Sequence, residues 1–248
     1  MKFRLEVCVD SVESAVNAQT GGAHRVELCA NLPEGGTTPS IGTILSVRNN
    51  LTIDLNVLIR PRSGDFLYSD TEYDIMRRDI EMCGECGVNG IVIGILRPDG
   101  EIDAERTSRL VELASPMSVT FHRAFDMCAD PFRGLHDIIS TGVSRLLTAG
   151  QKNKAVEGAQ LISKLVKKAG SKIIIMPGSG LKESNITEVA MITGASEFHL
   201  SARSITDSEM IFRREGIEMG GVPDIPEFFR KIADPEKIKN IINILKMI

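Results

Sequence analysis

The sequence contains no run of about 18 apolar residues, which excludes an ordinary membrane-spanning helix. It has no excess of basic side chains. Lys and Arg number 29 against 33 Asp and Glu, a formal net charge of -4, so there is no electrostatic case for nucleic acid or an anionic membrane. Cysteine is sparse and odd in number, five in all, which does not make a disulfide scaffold and is read as reduced thiols in a cytoplasmic protein. The opening MKFRLEVCVD carries charges inside its apolar stretch and has no cleavage site, so a strand is expected there and not a signal peptide. Missing too are a nucleophile motif, an H-E-x-x-H pair and a Gly-rich dinucleotide fingerprint. No break in composition divides the 248 residues, of which 42% are hydrophobic and 25% charged. A chain of this length buries roughly three quarters of its unfolded surface, and a single domain over 1–248 is expected.

What is present is alternation. Strands are expected at 3–9, 25–29, 55–60, 90–96, in the stretch 118–126, which breaks into a loop, and at 145–149, 172–176 and 197–202, with helices between them and a last helix near 235–247. Expected caps are Asp10 with Glu13, Thr38 before Pro39, Ser69 with Glu72, Asp103 and Asp130. A helix near 154–169 is strongly periodic. The pairs Gly22-Ala23, Gly87-Val88, Gly142-Val143 and Gly194-Ala195 each stand just before an even-numbered strand. That recurring helix-to-strand turn is what a barrel of βαβα quarters would show. The fold expected is α/β, a single-domain (β/α)8 TIM barrel.

Side chains alternate along a strand, so parity assigns an interior. Leu5, Val7, Val9, Val26, Leu28, Val57, Ile59, Ile91, Ile93, Phe198 and Leu200 should face the helices. Glu6, Cys8, Asp10, Arg25, Glu27, Cys29, Asn56, Leu58, Arg60, Thr120, His122, Arg145, Glu197, His199 and Ser201 should face inward. Buried charges must be paired. Arg25 or Arg145 is therefore expected to meet Glu197, and Glu27, Arg60, His122 and His199 to form one network above them.

Several motifs together resemble the CutC family: Leu5-Glu6-Val7-Cys8-Val9-Asp10-Ser11, Glu27-Leu28-Cys29, Glu34-Gly35-Gly36-Thr37-Thr38-Pro39-Ser40, Ile59-Arg60-Pro61-Arg62-Ser63-Gly64-Asp65-Phe66, the stretch 119–126 and Met176-Pro177-Gly178-Ser179-Gly180. Ser63 departs from the family pattern, where Gly is expected. The resemblance runs over about 5–221. It implies a cytoplasmic TIM barrel, a homodimer or higher homo-oligomer, associated with copper homeostasis.

Two chemistries compete for the C-terminal ends of the strands. Cu(I) prefers thiolate and thioether. Cys8 and Cys29 lie on adjacent strands, which are about 4.8 Å apart, with the same parity, so both can approach one ion; His122, His199 and Met176 are further donors. The alternative is two buried thiols acting as small hydrophobes. Cys83-Gly84-Glu85-Cys86 is a lone C-x-x-C on a helical stripe with Met76 and Ile80, which favours packing, and Cys128 has no evident partner.

The second chemistry is an enzyme acting on a small phosphorylated or carboxylated metabolite. Catalysis would use Glu27, Arg60, His122 and His199, with Glu27 or Glu6 beside His122 as an acid–base pair. Gly178, Ser179, Gly180, Ser201 and Arg203 would cradle an anion. Arg62, Asp65, Arg123 and Asp126 would complete an arginine-rich mouth. A scaffold acting only through its oligomer interface is a third option. The resemblance puts Cu(I) binding at Cys8 and Cys29 first, and leaves the reaction and substrate of the enzyme option open.

Overall fold

The computed structural model describes residues 3–214, 216, 217, 219 and 227–248. Eight parallel strands, β1 (Arg4–Val9), β2 (Arg25–Leu28), β3 (Asp54–Leu58), β4 (Gly90–Ile93), β5 (Ser118–Phe121), β6 (Arg145–Thr148), β7 (Ile174–Pro177) and β8 (Glu197–Leu200), hydrogen-bond in the order β7-β6-β5-β4-β3-β2-β1-β8. A parallel bridge between Gly178 and His199 joins β7 to β8 and closes the barrel. The helices α1 (Val12–Thr20), α2 (Ile41–Asn50), α3 (Asp70–Glu85), α4 (Ala104–Ala114), α5 (Pro131–Ser140), α6 (Ala159–Ala169), α7 (Ile186–Thr193) and α8 (Pro235–Lys246) surround it. Between β8 and α8 the chain forms an antiparallel pair, β9 (Arg203–Asp207) with β10 (Phe229–Ala233). That pair was not among the elements expected from the sequence. The Gly-Gly-Val-Pro run at 220–223 lies outside the described residues.

The repeated turn has a backbone cause. Gly22, Gly87, Gly142 and Gly194 have φ of 91°, 68°, 81° and 67°, a left-handed conformation that only Gly adopts at little cost. Each turns a helix end back toward the sheet, and the next residue (Ala23, Val88, Val143 or Ala195) is buried.

Local capping departs from expectation at three helices. Ser11, not Asp10, caps α1 by accepting the Ser14 N–H. Ser40, not Thr38, caps α2, because the Thr38 hydroxyl instead accepts the Arg60 N–H at the end of β3 at 2.9 Å. Helix α6 begins at Ala159 and not near 154, because the Gly158 backbone is pressed against Ala149 and Gly150. The Ser69–Glu72 capping box of α3 is present in both directions. Replacing Ser69 by Ala is expected to lower stability by about 1 kcal/mol, read from the urea midpoint. An unchanged midpoint would mean that water satisfies those amides equally well.

Parity holds around the barrel. Leu5, Val7, Val26, Leu28, Val57, Ile59, Ile91, Ile93, Phe198 and Leu200 all belong to the large apolar layer between strands and helices. Among the described residues the interior holds a small apolar cluster, Cys29, Leu58 and Val92, with Cys8 and Leu32 against it. Much of the barrel floor is ionic. Arg25 lies between Glu6 and Glu197, donating to the latter at 2.6 Å. Arg145 also reaches Glu197, at 2.9 Å, so both of the expected arginines meet it. Asn56 Nδ2 donates to Glu6 at 3.3 Å.

Candidate functional site

Parallel register sets which side chains meet above this floor. Cys8 pairs with Glu27 across β1 and β2, and Glu6 pairs with His199 across β1 and β8. The Cys29 N–H continues the β1–β2 ladder by donating to the Val9 carbonyl at 2.9 Å. Cys8 Sγ and Cys29 Sγ consequently lie 3.7 Å apart, and Cys29 Sγ is 3.6 Å from Glu27 Oε2. The three ligand atoms fall within 4.8 Å of one another, a spacing that can hold a metal ion. They line a cavity of about 140 Å³ at the C-terminal ends of the strands, together with Arg60, His122 and His199.

The four residues expected to form one network form two groups instead. In the first, His199 Nδ1 is 2.8 Å from Glu6 Oε1 and Nε2 is 3.6 Å from Glu27 Oε2. The carboxylate partners of an imidazole are therefore at His199, not at His122. In the second, the Arg60 guanidinium is held by the carbonyls of Glu34, Gly36 and Gly64 at 3.2, 2.8 and 2.7 Å, and its Cζ lies 5.0 Å from the Phe66 ring centroid. His122 Nδ1 accepts the Ala124 N–H at 3.1 Å.

Charge follows from these contacts. Burial disfavours charge on Glu6, but Arg25 and His199 outweigh it and hold its carboxyl at about 2. Burial also opposes the His199 imidazolium, yet Glu27, Cys8 and Glu6 raise its pKa well above the ordinary value. The Cys8 thiol is lowered to about 5, first by the hydrogen bond from Cys29 and then by His199, against burial. Cys29, as donor to Cys8 and buried, is held protonated. Burial and then the Cys8 charge raise Glu27 to about 8, against the pull of His199. At neutral pH the resulting state is a Cys8 thiolate beside a His199 imidazolium, with Glu27 protonated. His122 is pushed the other way, to about 3, by burial and by Arg60, and stays neutral.

Other expected ligands are committed elsewhere. Met176 Sδ accepts from Arg25 on the barrel floor, away from the two thiols. Asp126 is not open to a ligand. It accepts from Thr148 Oγ1 at 2.5 Å, the Ala149 and Gln151 amides, and Arg123 Nε at 2.7 Å, tying the β6 loop to β5. Arg62 is spent on Glu72, at 2.5 Å, and on Asp65, at 2.9 Å. Arg123 lines the cavity but also donates to the Lys152 carbonyl.

The anion cradle is split. Gly178 donates its N–H to the Thr148 carbonyl at 3.0 Å, Ser179 donates its hydroxyl to the Asn153 carbonyl, and the Gly180 carbonyl accepts from Asn185. Ser201 and Arg203 line a different groove, with Lys182 and Lys237. Gly178 has a geometric role instead: a Cβ there would collide with Leu147 and crowd His199. Cys83 is fully buried with Met76 and Ile80 in the outer core, and burial pushes its thiol up to about 12. Cys128 is also buried, and its sulfur accepts from Gln151 at 3.6 Å.

One contributor escaped the sequence reading. A Cβ on Gly94, just after β4, would collide with the Nδ1–Cε1 edge of His122. A glycine after a strand is too common a feature to mark this contact in advance.

The comparisons with known proteins agree on one family. Residues 3–204 match the model of the CutC family. A CutC family protein of Parabacteroides distasonis is 51% identical over 96% of this chain and 99% of its own length. A human protein named copper homeostasis protein cutC homolog is 46% identical over 99% of this chain and 90% of its own length. The crystal structure of CutC from Streptococcus agalactiae superposes with a TM-score of 0.76 at 32% identity, covering 80% of this chain and 98% of that one. With eight barrel strands, the mouth motifs at Cys8, Cys29 and His122, and these matches along nearly its whole length, the chain belongs to the CutC family.

Proposed function

We propose that this protein binds Cu(I) through Cys8 and Cys29 at the barrel mouth and so serves copper homeostasis in the cytoplasm. The observation that carries this is the 3.7 Å separation of the two sulfurs. With metal–sulfur bonds of about 2.3 Å, two sulfurs up to about 4.6 Å apart can share one ion. The donor type also fits, since thiolates select Cu(I) over harder cations. Cys8 is already ionised at neutral pH, and binding would displace the proton of Cys29. Glu27, carrying its own proton, is poised to adjust the charge of the site. His122 is not a third donor: its Nδ1 accepts a backbone N–H, so the ring proton is on Nε2. All five cysteines are unpaired, in keeping with a reducing compartment. The human relative's name associates that protein with copper homeostasis.

The test is an anaerobic Cu(I) titration against a competing chelator. One equivalent per chain is expected, with affinity falling at least about a hundredfold in Cys8→Ser/Cys29→Ser, since even the outer partners of metal ligands are worth roughly 10 to 100-fold. Equal affinity in the wild type and the double variant would sink the proposal.

A further inference from the structure

The second group at the mouth is not explained by copper. Arg60 is 6% exposed. Its cation is bound by three backbone carbonyls, and among the described residues no carboxylate pairs with it. A buried cation without a counter-charge is costly. His122 is equally buried. Its Nδ1 accepts from Ala124, which places the proton of the neutral ring on Nε2, and that atom has no partner. A buried donor left unmade also costs free energy. The Nδ1–Cε1 edge of the ring is turned onto Gly94, and Phe66 packs against both residues, 5.0 Å from Arg60 Cζ and with ring centroids 5.0 Å apart at His122. Two rigidly held groups, one cationic and one donating, thus line one cavity, while the Cys8 thiolate that also lines it is engaged by Cys29 and His199 instead.

From this geometry we infer that the cavity binds a small monocarboxylate, one carboxylate oxygen accepting from His122 Nε2–H and the negative charge facing Arg60. The cavity of about 140 Å³ limits the ligand's size. A cavity of about 150 Å³ holds benzene, with its six heavy atoms, so a three-carbon oxo or hydroxy acid fits within it. One unpaired cation and one neutral donor match a single negative charge better than a phosphate dianion. This goes beyond the copper proposal and does not rest on it, since Cys8 and Cys29 make none of these contacts.

The experiment is calorimetric titration of the metal-free protein with pyruvate and, separately, with inorganic phosphate. Saturable binding of one pyruvate per chain is expected, weaker by at least tenfold in His122→Phe and in Arg60→Met, with phosphate binding weaker than pyruvate in the wild type. Absence of pyruvate binding, or a preference for phosphate, would overturn the inference. Because either variant can lose stability, nitrogen-15 NMR of the wild-type histidines provides a second test. The His122 ring must show its proton on Nε2 and a shift of that nitrogen as pyruvate is added. A proton on Nδ1, or no shift at saturation, rejects the assignment.

Discussion

Arg25→Met is expected to lower stability by about 3–5 kcal/mol, the usual cost of removing one partner from a buried ion pair. Arg25 is 2% exposed and joins two carboxylates, Glu6 and Glu197. The substitution keeps much of the buried volume, so the loss is electrostatic and not a cavity effect. Glu197 would retain Arg145, and Glu6 would retain His199 and Asn56, which keeps the cost within that range. For a chain of this size roughly 2–4 °C are lost per kcal/mol, so the melting temperature should fall by about 10 °C. A double-mutant cycle with Glu6→Gln separates the pair from the background: the two substitutions together should cost at least about 1 kcal/mol less than their sum. A change of under about 1 kcal/mol for Arg25→Met alone would show that water or the remaining arginine takes over its role.

The second large effect is acid loss of stability through Glu6. Its carboxyl is held at about 2, below the ordinary glutamate value of 4.5. A group with a depressed folded pKa contributes stability that is present above the unfolded pKa. That contribution is lost as pH falls through the folded pKa. At about 1.4 kcal/mol per unit, the contribution is about 3 kcal/mol, and it should disappear between pH 4.5 and 2. Comparing the wild type with Glu6→Gln isolates it from the other carboxylates. The difference in unfolding free energy should be largest at neutral pH and collapse as pH drops below 4.5. A difference that stays constant from pH 7 to 3 would mean that Glu6 titrates normally. His199 works in the opposite sense. Its raised pKa gives stability that is complete below the ordinary histidine value and lost as pH rises through its folded pKa.

Both predictions concern residues that parity alone places inside the barrel. The period of two carries that information because a helix-facing strand surface must be apolar, and Leu5, Val7, Val26 and Leu28 leave Glu6, Cys8, Arg25 and Glu27 only the other side. Glu197 could be matched to Arg25 and Arg145 from sequence because a buried charge needs an opposite charge and few were available. The Cys8–Cys29 approach was legible for a related reason: adjacent parallel strands have a fixed spacing. Which imidazole meets which carboxylate was not legible. His122 and His199 both read as inward-facing, and their partners depend on which strands become neighbours when the sheet closes. Closure sets β8 beside β1, so Glu6 and Glu27 go to His199. His122, just after β5, is left with backbone contacts.

The two halves of the expected anion cradle are separated for a similar reason. Gly178-Ser179-Gly180 is donor-rich on paper, but the Gly178 N–H goes to Thr148, the Ser179 hydroxyl goes to Asn153, and the Gly180 carbonyl accepts from Asn185. Local composition reports what a backbone can do, not what its neighbours already occupy.

By itself the sequence determined the eight-fold alternation, the outward apolar layer, the glycine turns and the pair of thiols at the mouth, because each follows from a short-range period or a fixed interstrand distance. Only the tertiary structure decided the division of the mouth into a thiolate–imidazolium side and an Arg60–His122 side. That division depends on contacts between residues up to 193 positions apart, which no local pattern encodes until the barrel has closed.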